Sequence, residues 1–425
     1  MTSVGAGKDA VSLWRNRDFV ALWSGQVISS LGTGISTTAF PLLVLAMVGG
    51  PAEAGIVGAA GSAPYLLSLF VGALVDRWNR RAIMLSGQLV AGISLFSVTV
   101  AIWLGTLTVI HLALAAFVQG VCAVFYRVAE TAALPLIVPP AQRPLAVSQS
   151  EARSRGAYLA GPPLGGVLFG LGAAIPFLVD AISYLAGAVG VLAIRRPLQG
   201  ERVVTRRSIV RDVGQGLQWL WRVAFARTAI LLIAASNVVF QALVLILIVL
   251  AKDHGGSPGE IGLMMGIYGG GGLVGAFAAG WLHRKLRPKL VLVAINWVWA
   301  ALLPLLLLTS NPLILGLIAA ACAFAGPLWN VVILNYQMAI VPEHMMGRIT
   351  STAIFVTSGV MPVGSLGAGF MIAEFGPVHA LVVLCVIMLV IAIAAAVSPS
   401  VRHAPPPDDL EALAALAPLP PKARA

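Results

Sequence analysis

Polar interruptions divide this chain into twelve apolar stretches, near residues 20–47, 54–75, 82–104, 109–126, 157–173, 176–194, 228–251, 260–282, 289–309, 312–338, 351–373 and 378–398. Most reach or approach the roughly 20 residues that carry a helix across a bilayer. The pattern therefore predicts an all-α polytopic membrane protein with twelve transmembrane helices. The longest polar interval between stretches, 195–227, splits them six and six. The predicted organisation is an N-terminal segment (1–18), a six-helix bundle (19–194), a linker (195–227), a second six-helix bundle (228–398) and a tail (399–425). Inside the linker, Val213, Leu217, Leu220 and Trp221 recur at helical spacing, which predicts an amphipathic helix on the membrane surface. The tail, with Pro405 to Pro407, has the composition of a mostly disordered segment.

Composition agrees with the pattern. A chain that is 59% hydrophobic and 10% charged, with mean hydropathy +0.94, has more apolar surface than a soluble core can bury. Its 45 Gly and 26 Pro fit tightly packed and kinked transmembrane helices. Charge adds a direction. With the N-terminus inside, all 27 Lys and Arg except Lys252 fall inside or at the inner membrane face. Basic short loops stay in the cytoplasm, so both termini and the linker are expected there. The net charge of +11 is spread over these loops rather than gathered on one domain. That distribution favours contact with anionic lipid and excludes nucleic acid as the partner. Cys122, Cys322 and Cys385 are odd in number and lie in spans, so neither a disulfide nor a metal site is expected, and no cofactor is implied. The first 18 residues hold no apolar core for a cleaved signal, which leaves the first span to direct insertion.

The halves are internally related. At an offset of 203 residues, Ile137-Val138-Pro139 matches Ile340-Val341-Pro342, Ser148 matches Ser351, Gly156 matches Gly359, Gly161 matches Gly364 and Gly166 matches Gly369. A weaker echo sets Pro51 and Gly55 against Pro258 and Gly262. Parallel six-helix repeats of this kind place a substrate site between the halves near the membrane midplane.

Between spans 2 and 3 stands Gly72-Ala73-Leu74-Val75-Asp76-Arg77-Trp78-Asn79-Arg80-Arg81. A carboxylate at a helix end followed by three guanidiniums is equipped to form a charge-assisted latch that holds one conformation and releases another. Span 5 carries Ala157-Tyr158-Leu159-Ala160-Gly161-Pro162-Pro163-Leu164-Gly165-Gly166. Its small residues predict a bare face for close packing against the other half, bent by the two prolines. The first motif resembles the loop signature of the major facilitator superfamily, G-x-x-x-D-R-x-G-R-R, with Asn79 in the second Gly place as a substitute for a left-handed turn. The second resembles the family's exporter motif, G-x-x-x-G-P-x-x-G-G, with Ala157 in the first place. The opening from Arg15 through Gly32 and the steps Leu134 to Pro139 and Val341 to Ile349 are similar to the drug and siderophore exporter branch, including macrolide-efflux-like proteins.

The resemblance implies two six-helix bundles around a central cavity and alternating access to it. It implies a latch of Gly72, Asp76, Arg77, Arg80 and Arg81, with Glu130 as acidic partner. Ala116 replaces the span-4 Arg that many relatives link to proton coupling, and Arg284 stands where a second latch carboxylate would be. Carriers for a proton are then sought at Glu130, Asp180 and Glu374. Uncharged polar residues expected at the cavity are Gln26, Ser29, Thr33, Gln119, Asn237, Gln241, Asn330 and Asn335. The expected function is secondary active export of a lipophilic small molecule, such as an antibiotic or siderophore, by proton antiport. A monomer in a bacterial cytoplasmic membrane is the expected form. Import or lipid translocation on the same fold is the alternative, followed by a membrane sensor or scaffold. An enzyme is disfavoured, since no H-E-x-x-H, G-x-S-x-G or phosphate loop occurs.

Overall fold

Apolar runs bounded by Asn, Thr, Gly and Pro become helices with local stops. A computed structural model describes residues 12–199, 209–282, 288–341 and 345–402, and every long element among them is helical. In the first half these are α1 (Arg17–Leu43), α2 (Pro51–Ser62) continuing through a 3-10 turn into α3 (Ser68–Arg77), α4 (Arg80–Leu104), α5 (Val109–Ile137), α6 (Arg143–Leu171) and α7 (Ile175–Ala193). The linker contributes α8 (Ile209–Arg222). The second half comprises α9 (Ala224–Asp253), α10 (Pro258–Leu282), α11 (Pro288–Leu302), α12 (Pro312–Ile340), α13 (Met346–Gly359), α14 (Met361–Val397) and the short α15 (Pro399–Arg402).

Among the described residues, ten helical segments are long and apolar enough to cross a membrane. One of them, Arg348–Val397, is 50 residues long and breaks at Gly376, where φ is +80° and Pro377 follows. It therefore makes two crossings. The twelfth crossing is α6, whose first half carries Arg143, Glu151, Arg153 and Arg155. Helix starts use the expected side chains: Asn16, Thr108 and Asn311 accept from the backbone N–H of Phe19, His111 and Leu313. Each cap satisfies a donor the helix cannot. Gly105 ends α4 at φ +66°.

Arginine braces one end of the first half. Arg80 donates to the Ala132 carbonyl at 3.0 Å, and Arg81 to the carbonyls of Val191, Leu192 and Ile194 at the end of α7. Asp18 accepts from the Arg195 N–H at 2.9 Å and stands 3.7 Å from the Arg196 guanidinium. Guanidiniums at helix C-termini meet orphaned carbonyls and the negative end of the helix dipole. The linker helix packs one face on the second half. Trp219 and Leu220 are buried, Gln215 accepts from Arg348 at 2.6 Å, and Gly216 abuts Arg348 and Thr352 of α13. The exposed apolar residues Leu217 and Trp221 lie off that packed face. The N-terminal 1–11, linker residues 200–208, the second-half loop 283–287 with Arg284, residues 342–344 with Pro342, and the tail from 403 lie outside the described residues.

Candidate functional site

Two glycine pairs close the halves against each other at the end opposite the arginines. A Cβ on Gly166 of α6 would stand 2.8 Å from the Gly262 Cα of α10, and one on Gly55 of α2 would stand 2.8 Å from the Gly369 Cα of α14. These four residues are the ones that the internal repeat sets in register, Gly166 with Gly369 and Gly55 with Gly262. The repeat thus meets itself crosswise, and each backbone contact demands the missing side chain. Along the α6 and α10 seam the approach continues through Pro163 and Gly266 to Tyr158 and Gly269. Beyond that point a Cβ on Gly156 or on Gly280 would meet nothing within 4 Å.

Below the seam a two-lobed cavity that shares Tyr158 between lobes lies between the halves, while beside it Leu66 and α3 of the first half still pack on Gly359 and α13 of the second. Tyr158 sits in the middle of α6 yet is 69% exposed, so this space is open. The first-half lobe encloses about 320 Å³ and is lined by Gln26, Ser29, Thr33, Gln88, Tyr126, Arg127, Glu130, Arg153 and Tyr184, among others. The second-half lobe encloses about 280 Å³ and is more aromatic, with Phe240, Tyr268, Trp299 and Trp329 beside Asn237, Asn330 and Arg155. Their size suits small organic ligands, and their lining combines apolar faces with a few polar groups.

The expected residues divide. Gln26, Ser29, Thr33, Asn237 and Asn330 line the cavity. Ser29 donates to Gln88 at 3.1 Å, and Asn237 to the Thr357 carbonyl at 2.8 Å. Gln241 instead donates to Ser365 at 3.0 Å and joins α9 to α14. Gln119 turns to Asp180 and Tyr184, each at 3.4 Å, and Asn335 lines neither lobe. The aromatic residues of the second lobe and the guanidiniums of Arg153 and Arg155 were missing from the sequence expectation. The span-5 stretch begins at 157 by hydropathy, whereas α6 begins at Arg143. Polar residues facing a cavity depress hydropathy without ending a helix.

Glu130 is placed differently from its expected role. It accepts from Arg153 at 2.8 Å and 3.3 Å, a two-pronged pair nearly out of solvent, with neither Arg77 nor Arg80 as its bonded partner. Asp76 is 73% exposed and meets only Arg80 at 3.4 Å among the described residues. Gly72 has nothing within 4 Å of where its Cβ would be. Asn79 has extended backbone (φ −70°, ψ 111°) and accepts from the Ala82 N–H at 3.2 Å. It is a helix cap, not a left-handed turn. The exporter motif is also re-aimed. Gly161 and Gly165 pack on α1 of their own half, where a Cβ would lie 2.5 Å from the Gly34 Cα and from the Ile35 carbonyl oxygen. Ala157, whose carbonyl abuts Gly34, shares that face, while Pro162, Pro163 and Gly166 meet the other half.

Of the three carboxylates considered for protons, Asp180 has no exposure, Glu130 is paired with Arg153 and Glu374 is exposed near the Gly376 break. Asp180 accepts from Ser183 at 3.0 Å and from Gln119, and Tyr184 reaches Thr33 at 3.2 Å. Thr33 and Tyr184 line the first-half lobe. A buried carboxylate with no basic partner among the described residues is thereby one hydroxyl or amide away from cavity-lining groups.

Two helical bundles parted by an open cavity at one end and joined by backbone contact at the other define a membrane transporter rather than an enzyme. The chain belongs to the Major Facilitator Superfamily, whose family model matches residues 22–352 and 229–423. It is 27% identical to the multidrug efflux pump Tap of Mycolicibacterium fortuitum over 397 residues, 91% of this chain and 95% of that protein. It is 23% identical to macrolide efflux protein A of Streptococcus pyogenes over 371 residues, 85% of this chain and 91% of that protein. The fold matches a bacterial homologue of the iron transporter ferroportin in an inward-facing state, with TM-score 0.67, 15% identity and coverage of 90% and 99%. It also matches a bacterial homologue of the lysosomal transporter Spinster, inward-facing and unoccupied, with TM-score 0.64, 15% identity and coverage of 92% and 98%.

Proposed function

We propose that this protein exports lipophilic small molecules from the cytoplasm in exchange for protons, working as a monomer by alternating access. The observation that carries the proposal is the two-lobed cavity, open toward the arginine-rich end and closed by the paired glycines at the other. With the basic loops in the cytoplasm, that arrangement is inward-open, the state in which an exporter loads. The names of the Tap and macrolide efflux relatives support the direction. Loading ends when the arginine-rich end closes and the glycine pairs separate. In this reading the loop motif is disengaged in the present state, which accounts for an exposed Asp76 and an uncontacted Gly72. Both would find partners when the inner end shuts.

Asp180 is our choice of proton carrier. It is fully buried, has no cationic partner among the described residues, and connects through Gln119, Tyr184 and Thr33 to the cavity. A proton entering down a potential of 100 mV supplies about 2.3 kcal/mol, and each 1.4 kcal/mol sustains roughly a tenfold ratio. One proton therefore supports about a fiftyfold gradient of a neutral solute. Everted vesicles with an imposed proton gradient test this. A lipophilic dye should accumulate against its gradient with the wild type, and Asp180→Asn should leave only downhill exchange. Uphill accumulation undiminished in Asp180→Asn removes Asp180 from coupling; absence of proton-driven movement in the wild type removes antiport; movement only out of everted vesicles makes the protein an importer.

A further inference from the structure

We infer that the central cavity selects molecules carrying a negative charge or a strong hydrogen-bond acceptor at one end and a flat apolar body at the other, and disfavours cations. The inference rests on the exporter reading for its site and deepens it by naming the substrate class. Three observations carry it. Across both lobes the charged lining groups are Arg127, Arg153 and Arg155 against Glu130 alone. Glu130 is already held by Arg153, so it is not offered to a cation, and Arg155 pairs with the exposed Glu151 at its own helix surface. Arg127 has no ion pair among the described residues, and its guanidinium lies 5.7 Å from the centre of the Tyr65 ring. The cavity therefore holds, on the exposed Arg127, a positive charge that no ion pair offsets among the described residues, at a protein surface where Coulomb attraction is still stronger than in bulk water.

The second observation is a surplus of donors. On cavity-lining residues the buried polar atoms with no hydrogen-bond partner are Gln26 Nε2, Arg153 Nε and Trp329 Nε1, which only donate, and the hydroxyls of Tyr126 and Ser236, which can donate or accept. A buried donor left unmatched is costly, and a ligand oxygen relieves that cost where an ammonium group cannot. The third is the asymmetry of the lobes. Arg127, Arg153, Glu130 and the hydroxyls of Ser29, Thr33, Tyr126 and Tyr184 line the first lobe, while in the second, beside Arg155, Asn237 and Asn330, Trp299 and Trp329 stack at 6.1 Å and Phe240 meets Trp299 edge-on at 4.8 Å. An aromatic or polyketide-like body fits against such faces with its acidic oxygen directed to Arg127.

Fluorescein and a rhodamine share a tricyclic aromatic frame and differ in charge, anion against cation. Binding of each to the full-length protein in detergent, read by fluorescence anisotropy, should favour fluorescein by at least about tenfold. The preference should narrow in high salt and fall to within about threefold in Arg127→Gln, with unchanged elution and thermal unfolding. Equal or tighter rhodamine binding, no fluorescein binding, or a preference unmoved by Arg127→Gln overturns the inference. Everted vesicles separate this from the exporter reading. Proton-driven accumulation of the rhodamine but not fluorescein keeps the exporter and removes the charge selection. Fluorescein-selective binding with no accumulation of either dye keeps the selection and removes the exporter.

Discussion

The two ends of this transporter are held by opposite chemistry. At one end the halves touch mainly through backbone, Gly166 on Gly262 and Gly55 on Gly369, with one cation among these contacts, Lys252, which donates to the Leu45 carbonyl. At the other, charge dominates: Arg80 and Arg81 brace helix ends within the first half, the Asp18 carboxylate accepts from the Arg195 backbone N–H beside the Arg196 guanidinium, and Asp76 stands exposed with one long contact to Arg80. Backbone contact is short-ranged, so a seam built on it is either closed or lost. Charge acts over a longer distance and can be redistributed among partners. The difference suggests a steric gate at the glycine end and an electrostatic latch at the arginine end, joined by rigid bundles.

Substitutions should break that contrast in a graded way. The largest effect is expected for Gly161→Leu, because Gly161 seats α6 on Gly34 within one bundle. Overpacking of a tight helix contact costs typically 1–3 kcal/mol or more, so the variant should be poorly recovered and inactive. Gly161→Ala should also lower the thermal midpoint, since the new Cβ would meet backbone and not a movable side chain. Size-exclusion recovery and thermal unfolding check both, and a fully stable Gly161→Leu would contradict the packing.

Gly166→Leu should instead spare the fold and change the working equilibrium. Its contact is between bundles, so the loss falls on the glycine-sealed state alone. Recovery should be near wild type, transport strongly reduced, and cavity-facing cysteines less accessible from the arginine-rich end. A fold defect equal to that of Gly161→Leu would erase the distinction between the two faces of α6.

Asp76→Asn should be the mildest for stability. An exposed ion pair four residues apart is worth about 0.3–0.5 kcal/mol, so unfolding should barely shift. Transport should nonetheless fall well below wild type, because a charge-assisted bond of roughly 1.5–3 kcal/mol in the opposite state is enough to invert a balanced equilibrium. Wild-type transport in this variant would remove the latch.

Much of this was legible in the sequence because membrane spans and repeats leave strong marks. The six-and-six division, the register of Gly166 with Gly369 and of Gly55 with Gly262, and the cavity position of Gln26, Ser29, Thr33, Asn237 and Asn330 follow from hydropathy, offset and polar residues in apolar runs. What escaped depends on which way a helix is rotated. Gly161 and Gly166 belong to one motif but face different bundles, and a five-residue separation turns a helix by well over a full turn. Arg153 and Arg155 were hidden because polar residues over a cavity look like the end of a span. The aromatic lobe gathers residues from four helices, α9 to α12, whose mutual approach no local pattern records.

The central claim is that the two ends open and close reciprocally. Pulsed electron paramagnetic resonance on two doubly spin-labelled variants tests it directly, one pair at positions 171 and 257 beside the glycine seam and the other at 152 and 282 toward the arginine-rich end. The account predicts two distances for each pair, with conditions that lengthen the first shortening the second, and with Gly166→Leu moving both pairs together in opposite senses. A single unchanging distance at both ends, or the two lengthening together, would contradict it.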